Sequence, residues 1–69
     1  MREYTVILTP DPAGGYTLDV PALPGCFTEG ESEQEALANA KDVIALWLEQ
    51  LAADGKPIPE DVPTRKVAV

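Results

Sequence analysis

From Glu3 to Thr9 the chain alternates, with Tyr4, Val6 and Leu8 facing one way and Thr5, Ile7 and Thr9 the other. A period of two is the mark of a half-buried strand. Tyr16, Leu18 and Val20 resume the alternation against Thr17 and Asp19, which predicts a second strand. Between the two, Pro10-Asp11-Pro12-Ala13-Gly14-Gly15 offers fixed φ angles, a side-chain acceptor and two residues free to take positive φ. The chain should turn there and the strands pair antiparallel. Pro21-Ala22-Leu23-Pro24-Gly25 cannot sit in a central ladder, because each proline lacks a donor, so it is placed as a bend before a short third strand at Cys26 to Gly30.

Beyond Gly30 the period changes. Ser32-Glu33-Gln34-Glu35 fits a capping box, in which the Ser32 hydroxyl accepts from the backbone of Glu35 and the Glu35 carboxylate reaches back to the cap. Leu37, Ala40, Ile44, Trp47, Leu48 and Leu51 then recur at spacings of three and four, an apolar stripe that must lie on the sheet. Asp54-Gly55 offers a C-terminal cap, Pro57 and Pro59 prevent continuation, and Thr64 to Val69 reads as a closing strand with Val67 and Val69 on one face. The expected fold is α+β in the order β-β-β-α-β, a single domain over residues 1–69.

Length adds a constraint. A chain of 69 residues buries only about 60% of the surface its unfolded form exposes, so stability is marginal and self-association is expected. Projected at about 100 degrees per residue, Ala38, Ala45, Leu46 and Ala53 point away from the core stripe. Two readings fit them: a seat for another chain at Ala38, Ala45 and Leu46, or a run of good helix formers on an exposed face.

Charge narrows the partners. Twelve acidic residues against five basic ones give a net charge of -7. Phosphate-backbone binding needs clustered Lys and Arg, so direct nucleic-acid binding is not expected. A basic protein partner fits the charge, and so does simple solubility. No apolar run approaches the ~20 residues of a membrane span, and the N-terminus carries no secretion signal pattern. The expected location is the cytoplasm, away from membranes.

Most catalytic chemistry is missing. Histidine is absent, which excludes Ser-His and Cys-His nucleophiles and a histidine ligand or base. The lone Cys26 has no basic neighbour in sequence and reads as a small buried hydrophobe. Gly14-Gly15 and Gly25 stand beside turn residues rather than in a phosphate-cradling pattern. The carboxylates do not converge on one point in the predicted strands, so no metal, no cofactor and no enzyme activity are expected. Glu29, Glu31, Glu33 and Glu35 form an acidic run around the helix start, where the exposed N–H groups favour negative charge. The same run is a candidate contact surface for a basic partner.

Taken in order, Tyr4-Thr5-Val6, Asp11, Gly14-Gly15-Tyr16, Val20-Pro21, Leu23-Pro24-Gly25-Cys26, Thr28, Gly30, Glu35-Ala36-Leu37 and Asn39-Ala40 resemble the HicB family of antitoxins. The resemblance implies a degenerate ribonuclease-H-like fold, in which the helix crosses over to lay the last strand beside strand one. It implies that the nuclease ancestry is not an activity, and that the domain covers the active site of a small basic HicA-type toxin that cleaves mRNA. Family members of this type form dimers or tetramers. Many continue into a DNA-binding ribbon-helix-helix or helix-turn-helix segment, whereas this chain stops at Val69, so no DNA-binding C-terminal domain is expected. The residues assigned to the partner are Glu29, Glu31 and Glu33, with Pro24 and Phe27 of the bend. Two alternatives stand beside this reading: a solitary HicB-like oligomer with a regulatory or structural role and no toxin, and a residual metal-dependent nuclease.

Overall fold

A computed structural model describes residues 2–69. It contains three strands, β1 (Ile7–Pro10), β2 (Tyr16–Asp19) and β3 (Phe27–Gly30), followed by one helix, α1 (Glu33–Ala53). The strands form an antiparallel meander in the order β1-β2-β3, with Leu8 opposite Leu18 and Leu18 opposite Thr28. The architecture is α+β, as the change of period predicts.

The first turn is built by Asp11. Its carbonyl accepts from Gly14 N–H at 2.9 Å, its carboxylate accepts from Ala13 N–H at 2.8 Å, and its own N–H donates to Gly15 O at 3.0 Å. Gly14 and Gly15 take φ of +106° and +82°, which a side chain would resist. The second connection is two successive turns, Leu23 N–H to Val20 O and Cys26 N–H to Leu23 O.

β1 is shorter than the alternation from Glu3 predicts. Extending its register by two pairs would set Thr5 opposite Pro21, which has no N–H to give, so the ladder stops. Thr5 N–H turns instead to the Asp61 carboxylate at 2.8 Å, and the Thr5 hydroxyl donates to the other carboxylate oxygen at 2.7 Å. The Tyr4 hydroxyl donates to Pro59 O alongside.

The helix begins where the capping pattern places it. Ser32 Oγ accepts from Glu35 N–H at 3.1 Å, while the Glu35 carboxylate accepts from Glu31 N–H, one residue before the cap. At the far end Gly55, at φ +69°, lets Lys56 N–H reach Leu51 O and Gly55 N–H reach Ala52 O, satisfying two carbonyls that the helix leaves open.

Leu18, Val20, Leu23, Cys26, Ala36 and Ala40 form the buried core, with Val43, Ile44, Trp47, Leu48 and Leu51 packed against it from the helix. Leu37, expected in the stripe, is 43% exposed; the buried contact is centred on Ala36 and Ala40. Small residues are needed there because helix and strand nearly touch. A Cβ on Gly30 would stand 2.8 Å from Ala36 Cα and 2.9 Å from the Glu35 carbonyl carbon.

One expected element is missing. Thr64 to Val69 forms no strand, and Val67 and Val69 are exposed. In the segment leading to it, Pro57, Pro59 and Pro63 withhold donors, and that segment holds the N-terminal residues through the Tyr4–Pro59 and Thr5–Asp61 bonds rather than a backbone ladder.

Gly30→Ala should lower unfolding free energy by about 3 kcal/mol, because the added methyl meets backbone that cannot step aside. Chemical denaturation followed by circular dichroism checks this; an unchanged midpoint would show that the helix start is free to shift.

Candidate functional site

The sequence-predicted partner residues fall into four places. Phe27 and Glu29 stand on β3 with side chains on the face of the sheet away from the helix, both exposed. Glu31 lies in the turn that follows, and Glu33 is exposed in the first helical turn. Pro24 is exposed on the bend before β3, at the opposite end of that strand from Glu31.

Glu29 and Glu31 are brought together by the short link between β3 and α1. With Asp11 and Glu35 they line an open concavity of about 830 Å³, together with the glycines where β2 begins and β3 ends. No Lys or Arg lines it. The link is fastened from the helix: Asn39 Nδ2 donates to Glu29 O at 2.9 Å, which accounts for an amide at the flank of the helix's apolar side. Glu35 belongs to the acidic run read from sequence, whereas Asp11 was not assigned to this surface, because its nearness to Glu29 depends on the pairing of β2 with β3.

Charge on this end is tolerable because helix N–H groups face it. Among the described residues no three Cys, Asp or Glu side chains converge into a set that could hold a metal ion. Burial pushes the Cys26 thiol up from its ordinary value, away from nucleophilic use.

The helix residues assigned to self-association separate. Leu46 is 64% exposed and lines a smaller concavity of about 300 Å³ with Val43, Trp47 and Leu51. Ala38 and Ala45 are exposed but do not line it. Trp47 extends from this region under the bend, where a Cβ on Gly25 would meet its ring at 3.4 Å.

Across residues 4–68 the sequence matches the description of the HicB-like antitoxin of bacterial toxin-antitoxin systems. The chain belongs to the HicB-like antitoxin family. Among its relatives, a UPF0150 protein of Thermoplasma acidophilum is 49% identical over 59 residues, covering 86% of each chain. A UPF0150 protein of Synechocystis is 38% identical over 59 residues, 86% of this chain and 75% of the relative. Antitoxin HicB of Escherichia coli K12 is 37% identical over 61 residues, 88% of this chain but 44% of that protein. This HicB-like chain therefore spans less than half the length of that antitoxin. No helix among its described residues is long and apolar enough to cross a membrane.

At the opposite end of β1 from the acidic concavity, the Asp61 carboxyl is held below the usual carboxylate range, first by Thr5 N–H, then by the Thr5 hydroxyl, with Val62 N–H adding to them. A carboxyl depressed in the folded state stabilises the fold above its unfolded pKa, and that contribution is lost as pH falls through the folded pKa. Carbon-detected NMR titration should find Asp61 titrating below a free aspartate. Thr5→Ala should return it only part of the way, since the N–H remains. Ordinary titration in the parent chain would mean that the clasp does not persist in solution.

Proposed function

We propose that this chain is a non-catalytic antitoxin domain that binds and neutralises a small, basic, mRNA-cleaving toxin of the HicA type. The observation that carries the reading is the carboxylate wall at the β3–α1 junction in a chain of this family: Glu29 and Glu31 with Asp11 and Glu35, and no cation among them. A basic protein that must hold RNA carries the complementary charge, and burying its cationic surface against carboxylates blocks RNA access by charge and by bulk. Glu33, Pro24 and Phe27 extend this surface to either side.

In the same reading the meander and the helix after it are a degenerate ribonuclease-H-like framework without an active site. The spread of its carboxylates supports this, since a two-metal nuclease needs several of them on one point. Residues 1–69 act as a single domain in a reducing cytoplasm, where one buried thiol is suited. Self-association into a dimer or tetramer belongs to the helix face of Ala38, Ala45 and Leu46, whose exposed leucine favours it.

The test uses purified chain, a HicA-type toxin encoded beside its gene, and a labelled mRNA fragment. Cleavage should stop at stoichiometric addition. The double variant Glu29→Lys, Glu31→Lys should weaken binding by about tenfold or more in titration calorimetry. Cleavage that persists in excess of the chain would refute neutralisation. Unchanged affinity of the double variant would remove those two residues from the interface.

A further inference from the structure

The open face of the sheet carries an arrangement that the acidic concavity does not include. Register places Ile7 opposite Asp19 and Asp19 opposite Phe27, so the three stand in one row across β1, β2 and β3. The helix covers the other face. Ile7 is 52% exposed and Phe27 68% exposed, and Asp19 lies exposed between them. The next row is Thr9, Thr17 and Glu29. Among the strand residues of these two rows are two carboxylates and no Lys or Arg.

The hydrogen-bond pattern sharpens the row. Val20 N–H donates to Cys26 O at 3.1 Å, which makes that pair hydrogen-bonded and the adjoining Asp19–Phe27 pair non-hydrogen-bonded. Side chains of non-hydrogen-bonded antiparallel pairs approach more closely, with Cα atoms about 4.5 Å apart. Register thus sets the Asp19 position between an aromatic residue on one neighbouring strand and an aliphatic residue on the other. A guanidinium suits such a row: its planar fork pairs with a carboxylate and its face stacks on an aromatic ring, while the flanking apolar groups exclude water.

We infer that the Ile7–Asp19–Phe27 row is a docking seat for an arginine side chain of a basic protein partner. The inference rests on the proposed toxin-binding role and names the part of the surface that orients the complex. Three strands of four residues make a strip of roughly 14 by 10 Å, far below the ~800 Å² per partner of a stable complex. The seat is therefore the anchor of a larger footprint, joined through Glu29 to the acidic concavity, and it is the desolvated centre of that footprint which contributes most per residue. A second copy of this chain is disfavoured on the same face, because it would set Asp19 and Glu29 against their own duplicates.

Titration calorimetry with the HicA-type toxin tests it, using Asp19→Asn, Phe27→Ala and Ile7→Thr, with Glu49→Gln on the exposed helix face as control. Asp19→Asn preserves shape, and circular dichroism checks that each variant is folded. Asp19→Asn and Phe27→Ala should each weaken binding by about tenfold, with the control unchanged. Full affinity in both while the parent binds would overturn the seat and leave neutralisation standing. A parent chain that does not bind the toxin would overturn both. Sedimentation analysis adds one more outcome: a parent dimer that Phe27→Ala turns into monomers would assign the face to a second copy and overturn the inference.

Discussion

The rest of the structure hangs on the seating of the first turn of α1 on the backbone of β3. Gly30 has no Cβ, and the space one would occupy is already filled by Ala36 and by the Glu35 carbonyl carbon. Gly15 is pressed in turn on Gly30, where its own Cβ would stand 2.8 Å from Gly30 O. Three small residues in contact set the distance of the helix from the sheet, and Ala40, one turn on, continues the close approach. Larger residues return only further along, where Trp47 fills the space beneath the bend at Gly25. The helix is wedged by side-chain size, tight at its start and padded toward its end. Glu29, Glu31, Glu33 and Glu35 are neighbours in sequence around this same contact, so the charge is concentrated where the helix meets the strand. The helix N-terminus makes the crowding tolerable, and Glu35 uses one of its oxygens to accept from Glu31 N–H.

Much of this was legible in the residue pattern, because it is local. The Asp11-to-Gly15 turn, the Ser32 cap and the Gly55 stop each depend on residues within five positions of one another, and each formed where its residues called for it. What was not legible depends on residues far apart. β1 ends early because Thr5 falls opposite Pro21, a consequence of register rather than of propensity. Leu37 lies on the edge of the helical stripe, and only the tilt imposed by Gly30 decides that Ala36 is buried in its place. Thr64 to Val69 has the alternation of a strand, but alternation supplies no neighbour to pair with, and the chain approaches β1 through side-chain bonds at Pro59 and Asp61.

The candidate site follows the same division. Glu29, Glu31 and Phe27 could be chosen individually for charge or aromaticity near a bend. Glu29, Glu31 and Glu35 were legible as one acidic run; that Asp11 joins them was not, since it reaches Glu29 only through the β2–β3 pairing. Asp19 was read as a solvent-facing residue opposite the apolar positions of its strand, and it is exposed. Its place between Ile7 and Phe27 required both registers at once. Ala38, Ala45 and Leu46, grouped by a helical projection, are all exposed, and Leu46 also lines a concavity with Trp47 and Leu51.

A single helix can cover one face of a three-stranded sheet and no more, which leaves this chain with a two-layer fold and a bare second face. Threonines at 9 and 17 make that face tolerable to water, while Ile7 and Phe27 leave it incompletely polar. Closing it against a second copy would gain apolar burial but bring carboxylates together in a chain that already carries a net charge of -7. Closing it against a cationic surface gains the same burial and relieves the charge. In the proposed role, selectivity for a basic partner needs no dedicated recognition loop: it would follow from leaving one sheet face uncovered and placing the acidic side chains on it and beside it.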